Sequence, residues 1–228
     1  MRTQSMDTSI DIERILIQGH QRFSLAQRFA RVRSLTASIA EMNRRGTRLD
    51  DETSISAYLQ HLYGTTFVET LPPLPDMRSA RIFDILIPLT TMADLVTDLP
   101  LMLALTGGIA CCLYGFPRTV RDIDLLVDAT TPSFPILLER LATHFLPALP
   151  IDGVWSFLDP KTLIKIDMMT KLDGLSIRES LFRASPVLLT ENGVTFPILS
   201  AEDVVLTRLA WYRETGSKIG RASCRERV

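Results

Sequence analysis

A chain of 228 residues, 46% hydrophobic and 22% charged, can build one well-cored domain with an appendage and is too apolar for disorder throughout. Its 25 Lys and Arg against 26 Asp and Glu leave a formal net charge of -1, which excludes a global basic field; any RNA contact has to come from a local patch. Three cysteines, two of them adjacent at Cys111 and Cys112, make no disulfide framework, and His20, His61 and His144 make no zinc cluster, so a reducing, cytoplasmic setting is expected.

The first residues, with Arg2, Asp7, Asp11 and Glu13 ahead of any apolar run, lack the charged-then-apolar layout of a signal peptide. From Asp11 to about Tyr63, apolar positions such as Phe29, Val32, Leu35, Ile39 and Met42 recur at helical spacing and predict two or three amphipathic helices. The accompanying Arg28, Arg31, Arg33, Arg44, Arg45 and Arg48 read as a solvated helix face, with an RNA or partner contact as the alternative. Gly64 to Met77, with Thr65, Thr66, Pro72, Pro73 and Pro75, breaks the periodicity. The expected organisation is therefore a helical segment over 1–64, a linker over 65–78 and a domain over 79–217.

Ile82 to Leu105 is the most membrane-like stretch, yet it carries Asp84, Asp94 and Asp98 with Pro88 and Pro100, so no membrane span is expected. Instead Arg81–Val96 predicts a helix and Leu101–Leu105 a buried strand that stops at Thr106, Gly107 and Gly108. A helix over Ile109–Tyr114 ends at Gly115. Asp122–Asp128 predicts a strand and Pro135–Phe145 a helix. Val154–Leu158 and Leu163–Met169 predict a strand pair around Asp159 and Pro160. Ser200, followed by Glu202 and Asp203 and then Val204, Val205, Leu206, Leu209 and Trp211, opens a capped helix. Alternating helices and strands give an α/β (α+β) class with a mixed sheet. Lys218–Val228, KIGRASCRERV, reads as the translation of a sequencing adapter, an artefact that would leave the domain truncated at its C-terminal end.

The chemistry concentrates in Leu105 to Val127. A strand leads into Gly107 and Gly108, where backbone amides at a helix start can approach a phosphate; a tight strand-to-helix turn is the plainer explanation. Asp122 and Asp124 then share one face of a strand while Ile123 takes the other, placing two hard oxygen ligands where magnesium is held; a solvated strand end is the alternative. Asp167 is a lone acid among the apolar neighbours of its strand. Its charge needs either a metal or an ion pair to Arg118, Arg121 or Lys165. Cys111 and Cys112 read as small packing residues, and Trp155, Trp211 and Tyr212 as core residues before base-stacking ones.

The order Gly107-Gly108, helix, Gly115-x-x-Arg118, Asp122-x-Asp124 and a later Asp167, over about Leu101–Gly216, resembles the nucleotidyltransferase superfamily of DNA polymerase beta type, in its AbiEii-like toxin and minimal nucleotidyltransferase branch. The resemblance implies a mixed-sheet nucleotidyltransferase fold with an N-terminal helical appendage. It also implies an enzyme that transfers a nucleoside monophosphate from an NTP to a hydroxyl of tRNA, another RNA or a protein, as the toxin of a toxin–antitoxin pair with a cognate antitoxin as partner. Carried across, Gly107 and Gly108 are the phosphate loop, Thr106 and Arg118 support the triphosphate, and Asp122, Asp124 and Asp167 hold a two-ion Mg2+ site, with Asp167 also the candidate base. Two departures stand out: Val120 sits where relatives often have Thr or Ser, and Arg208 where they often have Lys. A nucleotide-binding module without turnover and a small-molecule (antibiotic) nucleotidyltransferase are the competing readings.

Overall fold

The computed structural model describes residues 10–46, 52–73, 84–116, 118–171, 174–189 and 193–215. The expected α/β class is what the chain adopts: a seven-stranded mixed sheet in the order β3-β4-β5-β2-β1-β7-β6 with helices packed against it. Three helices come first, α1 (Ile10–Gln21), α2 (Leu25–Gly46) and α3 (Glu52–Tyr63). On α2 the buried side is Phe29, Val32 and Thr36, while Leu35 is left exposed. A hydroxyl takes that inner position because Thr36 Oγ1 accepts the buried backbone N–H of Val120, 3.1 Å away. Ile39 and Met42, the rest of the expected stripe, have side chains outside the described residues, as do Arg44, Arg45 and Arg48.

Of the described arginines of α2, Arg31 is exposed as expected, while Arg28 and Arg33 are tied into the fold. Arg28 donates to the carbonyls of Leu113 and Gln21, Arg33 pairs with Asp84 at 2.9 Å, and the Arg31 guanidinium lies 4.5 Å from the Phe23 ring centroid. With His20 in contact with the Cys112 carbonyl at 3.2 Å, Arg28 and Arg33 dock the first two helices onto the rest of the chain. Phe29, Val32, Ile55, Tyr58 and Leu59 share one core with the sheet residues.

Gly64, at φ +88°, ends α3, and the stretch read as a linker starts with one more turn of helix, α4 (Thr65–Glu69). Phe67 is the reason: it is buried and packs edge-on against Tyr63, with ring centroids 5.6 Å apart. Residues 74–83, which hold the remainder of that stretch and the start of the expected Arg81 helix, lie outside the described residues.

The sheet elements follow the sequence pattern closely. α5 (Leu86–Val96) precedes β1 (Leu103–Leu105), α6 (Gly107–Leu113), β2 (Asp122–Val127) and α7 (Ser133–Ala142). A two-residue β3 (Leu146–Pro147) then pairs with β4 (Val154–Leu158), which turns back as β5 (Lys165–Met169). β5 runs parallel to β2, and β1 lies antiparallel on the other side of β2. The strongly apolar β1, β2 and β5 thus occupy the middle of the sheet, as buried strands do.

Three elements lie outside the expected set: α8 (Ile177–Phe182), which Ser176 caps by accepting the Glu179 N–H, β6 (Ser185–Leu188) and β7 (Thr195–Ile198). β6 and β7 pair antiparallel through Pro186 and Pro197 at the sheet edge, and proline hides a strand from pattern reading. α9 (Ala201–Thr215), the last element among the described residues, packs against α6.

Asp203 fastens α9. Its backbone N–H donates to Ser200 Oγ at 3.1 Å, closing the expected serine cap, and its carboxylate accepts from Ser200, Ser180 and Arg183. The Arg183 guanidinium, more than burial opposes it, holds the Asp203 carboxyl below its ordinary value. A depressed carboxylate contributes stability above its unfolded pKa and loses it as pH falls through the folded value. Asp203→Asn is therefore expected to cost about 2 kcal/mol at neutral pH in a denaturant titration, and the difference from wild type should shrink in acid.

Candidate active site

β1 delivers the chain to Thr106, and the turn that follows requires glycine at its first position only. Gly107 has φ +59°, and a Cβ there would fall 1.7 Å from Asp124 Oδ2. Gly108 has ordinary backbone geometry, and its nearest neighbour to an added Cβ is Val120 at 3.4 Å. The glycine pair is thus explained first by the carboxylate packed against it. The Gly108 N–H donates to Asp124 Oδ2 at 3.3 Å, so Asp124 serves the start of α6 as a cap from another strand, and Thr106 makes no side-chain cap there. Thr106 instead turns its buried hydroxyl to Thr207 of α9, 3.2 Å away.

Asp122 and Asp124 stand partly buried on one face of β2, and Ile123 between them is fully buried on the other, as the period of a strand dictates. The parallel register sets Asp122 opposite Lys165 and Asp124 opposite Asp167, so all three acids reach the same face from two adjacent strands. The charge of Asp167 raises the cost of ionising Asp122 and Asp124, and that of Asp122 adds to it at Asp124. Burial, with the Asp122 and Asp167 charges added, pushes Asp124 up to about 7, while Arg208 and the Gly108 N–H pull the other way. Asp122 is raised too, by burial first and Asp167 second, against the opposing charges of Lys165 and Arg118.

Asp167 has found partners within the protein. Lys165 Nζ is 2.8 Å from its Oδ2, and Ser156 Oγ on β4 donates to its Oδ1 at 2.6 Å. Of the two explanations open for its charge, the ion pair is present, with Lys165. Among the described residues no three His, Cys, Asp or Glu already stand together as a ligand set. The donors are nonetheless hard, oxygen-only and under-compensated at Asp122 and Asp124, which fits a divalent cation such as Mg2+.

Two cations border the site. Arg118 lies beside Gly108. Arg208, on the final helix, faces Asp124 and has a buried Nε without a hydrogen-bond partner. Its sequence signal was its place where relatives of the resembled family often have Lys, and the packing of α9 against α6 brings it in.

No protein-family model matches the chain, and no curated protein matches it. Among solved structures it is similar to a candidate nucleotidyltransferase from Thermotoga maritima, at 16% identity and a TM-score of 0.44, over 62% of this chain and 93% of that one. It is also similar to the antibiotic-resistance factor ANT(2'')-Ia, at 14% identity and a TM-score of 0.40, over 57% of this chain and 73% of the other.

Tyr63 supports both acid-bearing strands from below. Its hydroxyl lies 2.8 Å from the carbonyls of Arg121 and Leu163, just ahead of β2 and β5, and accepts the Lys165 N–H at 3.3 Å. Leu163 has a left-handed backbone at φ +60°, unusual for a branched side chain, and Tyr63 helps hold it. Burial, followed by the Asp122 charge, raises the phenol well above its ordinary value, which keeps it a neutral donor.

The cysteines behave as packing residues. Cys112 is buried, its thiol faces the Arg118 carbonyl, and burial pushes it up to about 11. Trp155 stacks edge-on with Phe134 at 5.9 Å, while the side chains of Trp211 and Tyr212 lie outside the described residues. No helix among the described residues is long and apolar enough to cross a membrane.

The two glycines should separate cleanly by mutation. Gly107→Ala is expected to cost more than about 2 kcal/mol, from left-handed strain and displacement of Asp124. Gly108→Ala should stay within about 1 kcal/mol of wild type, since alanine favours the helix it enters. Thermal unfolding of the two variants side by side is the check.

Proposed function

We propose that the chain is a metal-dependent nucleotidyltransferase, moving a nucleoside monophosphate from an NTP to a hydroxyl of RNA, with tRNA as the expected acceptor, or of a protein. The single observation that carries this reading is the shared face of Asp122, Asp124 and Asp167 beside the Gly107 turn. The resemblance of that motif order to AbiEii-like proteins extends the proposal to the toxin of a toxin–antitoxin pair, with an antitoxin as partner.

Bound Mg2+, in a two-ion site, would neutralise charge on the triphosphate and lower the pKa of the attacking hydroxyl. Asp122 and Asp124 would hold it, and Asp167 would complete the set. The chain's own residues do the rest. Arg118 and Arg208 present positive charge toward the triphosphate from two sides, orienting it over the acids. The acceptor oxygen forms a bond to the α-phosphorus as the bond from that phosphorus to pyrophosphate breaks, and the acceptor proton passes to a carboxylate oxygen of Asp167. That last role requires Asp167 to be free of Lys165.

A binding module without turnover remains the second reading, favoured by Asp167 being held by Lys165 and Ser156 and by Val120 in place of a hydroxyl residue. Incubation with Mg2+, each labelled NTP in turn and total tRNA decides between them. Label transfer that vanishes in Asp122→Ala/Asp124→Ala is the expected result. Mg2+-dependent NTP binding with no transfer to RNA or protein would select the binding module or a different acceptor, such as a small molecule. Growth arrest on expression, relieved by Asp124→Ala, is the expected outcome for a toxin.

A further inference from the structure

Lys165 is a feature of the site that the proposed chemistry does not use and has to displace. It shares a strand face with Asp167 and stands opposite Asp122 in the register of β2 and β5. Its ammonium is gripped from two directions: Asp167 Oδ2 lies 2.8 Å away, and the Phe67 ring centroid of α4 lies 4.9 Å away. The side chains of Lys165 and Asp167 are only 19% and 16% exposed, so water and salt screen the pair weakly. At its root the Lys165 N–H is tied to Tyr63, whose own ring packs on Phe67. The grip is therefore built by the helical segment that precedes the sheet.

A divalent cation and this ammonium compete for the same oxygen. Inner-sphere ligation by Asp167 needs Oδ2 uncovered, and a like charge held by Phe67 within a few ångströms opposes a metal there. A triphosphate changes the balance, because it offers the ammonium a second anionic partner near the first. We propose that Lys165 is a built-in counter-cation that occupies Asp167 in the nucleotide-free protein, weakens metal binding there, and is drawn off by the incoming triphosphate. This rests on the reading of the site as a metal-dependent nucleotidyltransferase. It makes Lys165 a positioning residue that couples metal loading to nucleotide arrival, with Phe67 setting how firmly it is held.

The test is calorimetric titration of the full chain with Mn2+ alone and then with a non-hydrolysable NTP in Mn2+, for wild type, Lys165→Met, Lys165→Arg and Phe67→Leu. Lys165→Met should bind Mn2+ on the order of tenfold more tightly and the nucleotide on the order of tenfold more weakly, the scale of one charge-assisted contact. Lys165→Arg, which keeps the charge, should resemble wild type, and Phe67→Leu should move metal affinity in the same direction as Lys165→Met by less. Should Lys165→Met fail to fold, the Phe67→Leu shift decides. Unchanged or weaker Mn2+ affinity in these variants, with wild type binding the ion, overturns this inference and leaves the enzyme reading standing. Absence of Mn2+ binding in every protein, wild type included, overturns both.

Discussion

Asp122, Asp124 and Asp167 are set on one face by the parallel register of β2 and β5, and their mutual repulsion organises what surrounds them. Left alone, such a group would either take up protons or push the strands apart. The chain answers at each acid separately. Asp124 takes the Gly108 N–H and the nearby charge of Arg208, Asp122 has Arg118 and Lys165 nearby, and Asp167 takes Lys165 and Ser156 directly. Even so, the compensation at Asp124 is incomplete, and its carboxyl is driven up to about 7. A fold that keeps an under-compensated carboxylate in its middle strand holds stability back, and on the proposed reading a cation would relieve that cost.

The elements that supply these answers come from distant parts of the chain. α9 brings Arg208 and Thr207, and Asp203 locks that helix through α8. α3 and α4 bring Tyr63 and Phe67, which hold the roots of both acid-bearing strands and the Lys165 ammonium. The N-terminal helices therefore bear on the site by contact, and Arg28 and Thr36 attach them to α6 and the segment before β2. A role for that helical segment in positioning the acids follows from this geometry.

Much of the central sheet was legible because burial on both faces leaves runs such as Leu103–Leu105 and Asp122–Val127 nearly continuous in apolar residues. The paired aspartates could be placed on one face from strand period alone. What could not be read were facts of register and long-range packing. Nothing local says that Asp167 sits opposite Asp124, that Lys165 rather than an arginine covers it, or that Gly107 makes room for a carboxylate before any phosphate. Arg28 and Arg33 of α2 misled for the same reason: a basic run looks solvated until the carbonyls and the Asp84 it meets are known. The edge strand β6 and its neighbour β7 stayed hidden behind their prolines.

The central claim, that these acids form a cation site, is tested most directly by thermal unfolding with and without millimolar Mg2+ at pH 5 and pH 8, in wild type and in Asp122→Asn/Asp124→Asn. Raised carboxyls bind protons more readily in the folded chain, so metal-free stability should fall as pH rises from the unfolded carboxylate value through about 7. The account predicts that Mg2+ raises the unfolding temperature of wild type strongly at pH 8 and weakly at pH 5. The double variant should be more stable than metal-free wild type at pH 8 and indifferent to Mg2+. An equal Mg2+ effect at both pH values, or one that survives in the double variant, would contradict it.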